Sequence, residues 1–367
     1  MPLMGFSYRI DSEGPKIKEG KFEFYSPRMS KLIKPFIQQQ KKEHDKLFKE
    51  VRDSLGPNFS SKTVESYIEV LRNKRAIDSL IKNGYHLLSI SALLTNTVEL
   101  RVLKAKIRGD IKKELEGKIA EAEESLASAK KLLEDLYSGL ESYQGFEWLI
   151  FAYTYLRDAE NSVNMIKARE DTDAKLFFDA CLAIELCRVF TSFTEFIKTV
   201  DKDGKRADDL KKSLKDFAFR LVQTAEYDLK TVKPEHVNNP EEERLLAKTL
   251  DYLVPVMTKA FENEDYLTAI DTAQMVIYNA ELIKAAFLQA PQSYIRSLIA
   301  QKLIEFNQLI AMTRKKGKFD AVLPIFYYEK AAGPFGEPSK MIASANLSMA
   351  LIGVMEKELR PAAMFTI

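Results

Sequence analysis

Apolar residues recur at helical spacing almost without interruption from Ser30 to about Leu309, roughly 280 residues, and this continuity limits the chain to an all-α architecture. A helix can bury an apolar stripe only against another element, and with no strand-like run available inside that span the partner must be another helix. Candidate breaks fall at Gly56-Pro57, Asn83-Gly84, Gly145, Asp201 to Gly204, Lys233 to Pro240 and Pro291, which divides the span into six to nine helices. The longest is expected from about Val98 to Leu140. There Ile107, Ile111, Leu115 and Ile119 step by four, and Ile119, Ala122, Leu126, Ala129, Leu133, Leu136 and Leu140 alternate steps of three and four. The drift between the two periods is that of a strut packed on successive neighbours within one helical array.

Only the ends depart from this pattern. Residues 1 to 27 hold two short alternating stretches, Phe6 to Ile10 and Lys21 to Phe24, around a segment containing Gly and Pro, the pattern of a hairpin or extended arm. At the other end Ala362, Ala363, Met364, Phe365 and Ile367 follow Pro361 and are too apolar for a solvated terminus, so this segment is expected to dock on the protein's own helices or on a neighbouring subunit.

An internal repeat accompanies the helices. The segment from Met165, MIKAREDTDAKLFFDACLA, lies without a gap on the one from Met257, MTKAFENEDYLTAIDTAQM, matching at 165/257, 167/259, 168/260, 173/265 and 179/271. Each copy reads as helix, polar turn and second helix, with small residues at the crossing (Ala180 and Ala183; Ala269 and Ala273). That is the pattern of tetratricopeptide-like hairpins, which stack into a solenoid with a concave face.

The chemical inventory is thin. His44, His86 and His236 stand far apart, outside any HxxxH, HExxH or CxxH arrangement, and Cys181 and Cys187 are too few for a zinc site or a disulfide framework. No metal, cofactor or catalytic set is expected, and the paucity of cysteine fits a reducing, cytoplasmic compartment. Ala331 to Lys340, AAGPFGEPSK, lacks the Gly-Lys-Ser/Thr ending of a phosphate loop and carries two prolines where amide donors would be needed. With 55 Lys plus Arg against 53 Asp plus Glu the net charge is +2, and the basic stretch Lys205 to Lys215 is laced with aspartates, so nucleic acid is not an expected partner. The most apolar stretch, Leu176 to Ile197, contains Asp179, Glu185, Arg188 and Glu195 and cannot be a membrane span.

The order of segments resembles the BRO domain of ALIX and its relatives. Ser26 to Gln40, SPRMSKLIKPFIQQQ, is similar to that domain's opening, where a short strand leads into a Leu-x-Lys-Pro segment and an Ile-Gln-Gln helix. Asn83 to Leu100 resembles its central helix of apolar and small residues, Glu116 to Leu133 the helix that follows, and Thr313 to Ala345 its closing element of basic helix end, aromatic-Pro crossing and Pro-rich return strand. The family's strand-rich insertion has no counterpart between Leu71 and Tyr85, and Leu88-Ser89-Ile90 replaces its Phe-Asn signature.

The resemblance implies a banana-shaped, elongated tetratricopeptide-like solenoid over residues 28–345, preceded by the arm and followed by a C-terminal helix and tail, 346–367. It also implies a noncatalytic adaptor of ESCRT-type membrane remodelling, recruited to membranes through its partners, with other ESCRT components as further partners. The concave face would hold the amphipathic C-terminal helix of an ESCRT-III subunit through Glu114, Lys118, Met165, Lys167, Leu176 and Phe177. Leu176 and Phe177 have a competing assignment, the core, since large apolar side chains are usually buried. The alternative function is a self-assembling, coat-like helical protein whose arm and tail make the contacts.

Overall fold

The computed structural model describes residues 25–55, 60–168, 171–287, 291–315, 319–333 and 337–356. These form an all-α fold of thirteen α-helices. In order they are α1 (Pro27–Ser54), α2 (Ser61–Lys82), α3 (His86–Arg108), α4 (Ile111–Gly139), α5 (Tyr143–Ala168), α6 (Asp173–Asp203), α7 (Leu210–Lys230), α8 (Pro240–Lys248), α9 (Val254–Glu262), α10 (Tyr266–Phe287), α11 (Gln292–Lys315), α12 (Val322–Ala332) and α13 (Pro338–Glu356). The amino-terminal arm and the apolar tail lie outside the described residues. Among the described residues the one β-like feature is an isolated antiparallel bridge between Ser142 and Arg206.

Helix starts follow side-chain chemistry. Ser60 accepts from the Thr63 amide at 3.3 Å, Asp209 from the Lys212 amide at 2.9 Å, and Asn239 from the amides of Glu241 and Glu242 at 2.9 and 3.0 Å. The expected single helix from Val98 to Leu140 is two helices. Gly109 takes φ +71° and its amide bonds back to the Lys106 carbonyl while that of Asp110 reaches Ala105, a left-handed stop that ends α3 before α4 begins. The break leaves the four-residue stepping of the isoleucines intact and so is invisible to periodicity.

Gly145, expected as a break, instead sits in the first turn of α5. The described residues beyond Glu337 are helical where the resemblance implies a return strand, and the expected boundary at 345 falls inside α13.

The chain clusters into two compact units. Tyr25–Leu140 with Ala152–Thr199 form the first, and Glu141–Phe151 with the described part of Val200–Ile367 form the second, so α5 and α6 contribute to both. In the first unit α1 and α2 pack on α3, with a core of Leu47, Phe48, Val51, Val70, Leu100 and Leu103. His44 is buried there. The Asn96 amide donates to its Nε2 at 3.0 Å, leaving the ring proton on Nδ1 toward Asp45, and burial lowers its pKa to about 4. A ring held neutral between two side chains of its own core is a structural histidine.

In the second unit α10 is the central helix, buried along nearly its whole length and packed on α7, α9 and α13. Ala269, Ala273 and Ala280 are fully buried, so neighbouring backbones approach closely. The repeat seen in the sequence is realised as two helix hairpins, α5/α6 and α9/α10. Their gapless alignment holds within one or two residues at the helix ends, and the matched aspartates Asp179 and Asp271 are both buried.

A second-unit clamp joins the start of α5 to the end of α6. The Asp201 carboxylate accepts from the Ser142 amide at 2.8 Å, the Ser142 hydroxyl at 2.7 Å and the Glu141 amide at 3.2 Å, while the Ser142 Oγ accepts from the Gly145 amide at 3.0 Å. A Cβ at position 145 would stand 2.3 Å from Asp201 Oδ1 and 2.6 Å from its Cβ. Gly145→Ala is therefore expected to lower unfolding free energy by about 1–3 kcal/mol, because relief requires displacing the carboxylate that caps this turn. Urea denaturation measures it; an unchanged midpoint would show that the clamp is slack.

Candidate partner-helix surface

Within the first unit α4 and the later part of α5 run antiparallel, and two ion pairs share one register. Lys130 meets Glu160 at 2.6 Å, and seven residues away on each helix Lys167 meets Glu123 at 3.7 Å. Both sit on solvated faces and contribute little to stability individually. Lys118, one turn beyond Glu114 on α4, bonds Glu121 at 2.6 Å and is half-buried.

Two further charged groups, Arg101 of α3 and Glu185 of α6, come together in the same unit. Glu185 is 7% exposed, yet two guanidiniums share its Oε1: Arg101 through Nε, and Arg188 through Nη1 at 2.7 Å. Arg101 and Arg188 are themselves 33% and 41% exposed. The Arg101 contact is an ion pair without hydrogen-bond geometry, whereas Arg188 Nη1 donates to Glu185 Oε1, and a part-exposed guanidinium is suited to capture a partner's carboxylate. One turn along α3, Lys104 pairs with Glu50 of α1 at 2.7 Å.

The six residues assigned from sequence divide by exposure. Lys167 is exposed, Met165 is 46% exposed, and Glu114 and Lys118 are partly exposed. Leu176 and Phe177 are 6% and 1% exposed and belong to the core. As placed, they cannot anchor a partner, because the apolar stripe of α6 is consumed by helix packing in its own unit. Lys118 pairs with Glu121 and Lys167 with Glu123, so the two lysines serve neighbouring stretches of α4 rather than one shared ion pair.

Sequence reasoning did not select Arg101, Glu185 or Arg188. The available signal was the occurrence of Glu185 and Arg188, three apart, inside the most apolar stretch of the chain, where charges persist only if paired.

Both thiols are free and buried. Burial pushes both Cys181 and Cys187 up to about 12, far from a thiolate at neutral pH. Among the described residues no group of three or more His, Cys, Asp or Glu side chains could hold a metal ion, and no helix is long and apolar enough to cross a membrane. Comparison of the chain with protein-family models, with curated proteins and with solved structures returned no match.

Proposed function

We propose that the protein is a noncatalytic adaptor that holds an amphipathic partner helix across α3, α4 and α6 of its first unit. On the sequence resemblance to the BRO domain, we propose further that this helix is the C-terminal one of an ESCRT-III subunit, which would bring the adaptor to membranes indirectly. The observation that carries the reading is the Arg101–Glu185–Arg188 cluster on α3 and α6: two part-exposed guanidiniums around one carboxylate that is almost wholly buried. A near-neutral protein has no long-range field to gather ligands, so short-range pairs of this kind must set the register of a bound helix. Met165, nearly half-exposed at the end of α5, supplies an apolar contact beside the Lys167–Glu123 pair.

Fluorescence anisotropy with labelled C-terminal helices of ESCRT-III subunits tests this. Saturable binding by at least one helix is expected. Lys118→Glu should weaken it about tenfold, or 1.4 kcal/mol, with the melting temperature held, since the Lys118–Glu121 pair it breaks is a surface pair. Failure of every helix to bind would remove the ESCRT assignment, and equal binding by the variant would remove Lys118 from the surface.

A further inference from the structure

The outer face of α7, in the second unit, exposes aromatic rings where a surface helix is ordinarily polar. Asp216, Phe219, Gln223, Glu226, Tyr227 and Lys230 are all exposed, and their spacing by threes and fours puts them on one stripe about two heptads long. Phe219 is 46% and Tyr227 57% exposed, and the Phe219 ring approaches that of Phe261 on α9 with centroids 6.0 Å apart. Arg220 flanks the stripe. It is partly buried, and its Nε is buried without a hydrogen-bond partner among the described residues, the state of a guanidinium that lacks an acceptor.

We propose that this face binds a second copy of the same chain, α7 lying antiparallel on its counterpart with Gln223 at the two-fold axis. Positions equidistant from Gln223 then meet across the contact. Phe219 lies level with Tyr227 of the copy, Asp216 with its Lys230, and Arg220 with its Glu226. Each charged pair is of opposite sign, and the two-fold axis makes every pair twice. The aromatic rings leave water together, while the Arg220 guanidinium gains a carboxylate at its own level.

The order of residues along the helix favours this occupant over others. Parallel alignment of two copies would set Asp216, Arg220, Glu226 and Lys230 each against itself, and like charges face to face oppose association. A foreign helix would have to supply the same order of ring and charge that α7 already carries. The contact is separate from the partner-helix surface, which belongs to the first unit.

Sedimentation equilibrium of the full chain tests the proposal. The parent is expected to pass from one chain to two as concentration rises. Asp216→Lys and Lys230→Asp each bring like charges together and should weaken self-association at least about tenfold. Melting should be unchanged, because both positions are exposed. Mixed together, the two variants regain opposite charges at both Asp–Lys levels and should form a one-to-one heterodimer, recognised by a tag on one of them. Within a chain these positions stand about 21 Å apart along the helix, so such a rescue can act only between chains. A parent that stays a single chain at every concentration would overturn the proposal. Variants that associate as the parent does, or a mixture no more associated than either variant alone, would overturn it as well by placing any contact elsewhere on the chain.

Discussion

Phe177→Asp is expected to abolish cooperative folding of the first unit. Phe177 is 1% exposed in α6, next to Leu176 at 6% and one turn before Cys181 at 1%, so an inserted carboxylate would be cut off from water inside an apolar stripe. The change combines the loss of a buried ring with a buried ion, which costs about 4 kcal/mol or more. Met165→Asp, on α5 and 46% exposed, is expected to change stability by no more than about 0.5 kcal/mol. Circular dichroism melting of the two variants decides the matter. A Phe177→Asp chain that melts as the parent does would return Phe177 to the surface and reopen its role as a partner contact.

The second large effect is expected at Glu147. Its carboxyl is fully buried and caps α12 from α5, accepting the Val322 amide on Oε1 at 2.5 Å and the Asp320 amide on Oε2 at 2.7 Å, across more than 170 residues of sequence. Asp320 is held in turn by the Trp148 indole at 3.3 Å and, through its carbonyl, by Arg314 Nε at 3.1 Å. Ala321 takes φ +61° immediately before the helix, a costly conformation for a non-glycine residue that the two amide bonds help to hold. Glu147→Ala leaves two buried amides without an acceptor and opens a void, so a loss of about 3–5 kcal/mol is expected.

Protonation gives an independent readout. Burial, and secondarily the Asp320 charge, pushes the Glu147 carboxyl up to about 8 against the two amides that favour its ionised form. The folded state thus holds a proton that the unfolded chain releases near pH 4.5, so the associated stability is complete below that pH and is lost as pH rises toward and through 8. Glu99 and Asp228, each raised to about 7 chiefly by burial, tilt the parent in the same direction. The difference between the parent and Glu147→Gln isolates the one group. The amide, whose Nε2 cannot accept the second backbone N–H, should be less stable than the parent at pH 5, with the gap narrowing as pH rises to 9, and parallel curves would show that Glu147 is ionised throughout.

Much of the fold was legible because it is locally encoded. The breaks at Asn83-Gly84, Lys233 to Pro240 and Pro291 coincide with helix ends, and the hairpin repeat survives as α5/α6 and α9/α10. The stop at Gly109 was not legible, because the apolar rows of α3 and α4 happen to continue one another in phase across it. Gly145 misled in the opposite sense: it is glycine because Asp201 leaves no space for a Cβ, a long-range packing demand that reads locally as a breaker.

The candidate surface divides the same way. Glu114 and Lys118 rest on the resemblance to the BRO domain, not on any pattern of their own helix. The Arg101–Glu185–Arg188 cluster needs α3 and α6 side by side, and the burial of Leu176 and Phe177 depends on which face of α6 the unit covers. Glu147 carries no sequence signal at all for its role at α12.

The proposed helix-binding surface is tested most directly by charge exchange. The labelled ESCRT-III helix that binds best is prepared with each acidic residue changed in turn to Lys and titrated against both the parent and Lys118→Glu. One altered helix is expected to lose affinity for the parent and regain about tenfold for Lys118→Glu, the mark of a direct pair across the interface. If every altered helix discriminates against the variant as the native helix does, or none distinguishes the two proteins, no partner charge faces Lys118 and the surface formed by α3, α4 and α6 is not where the helix lies.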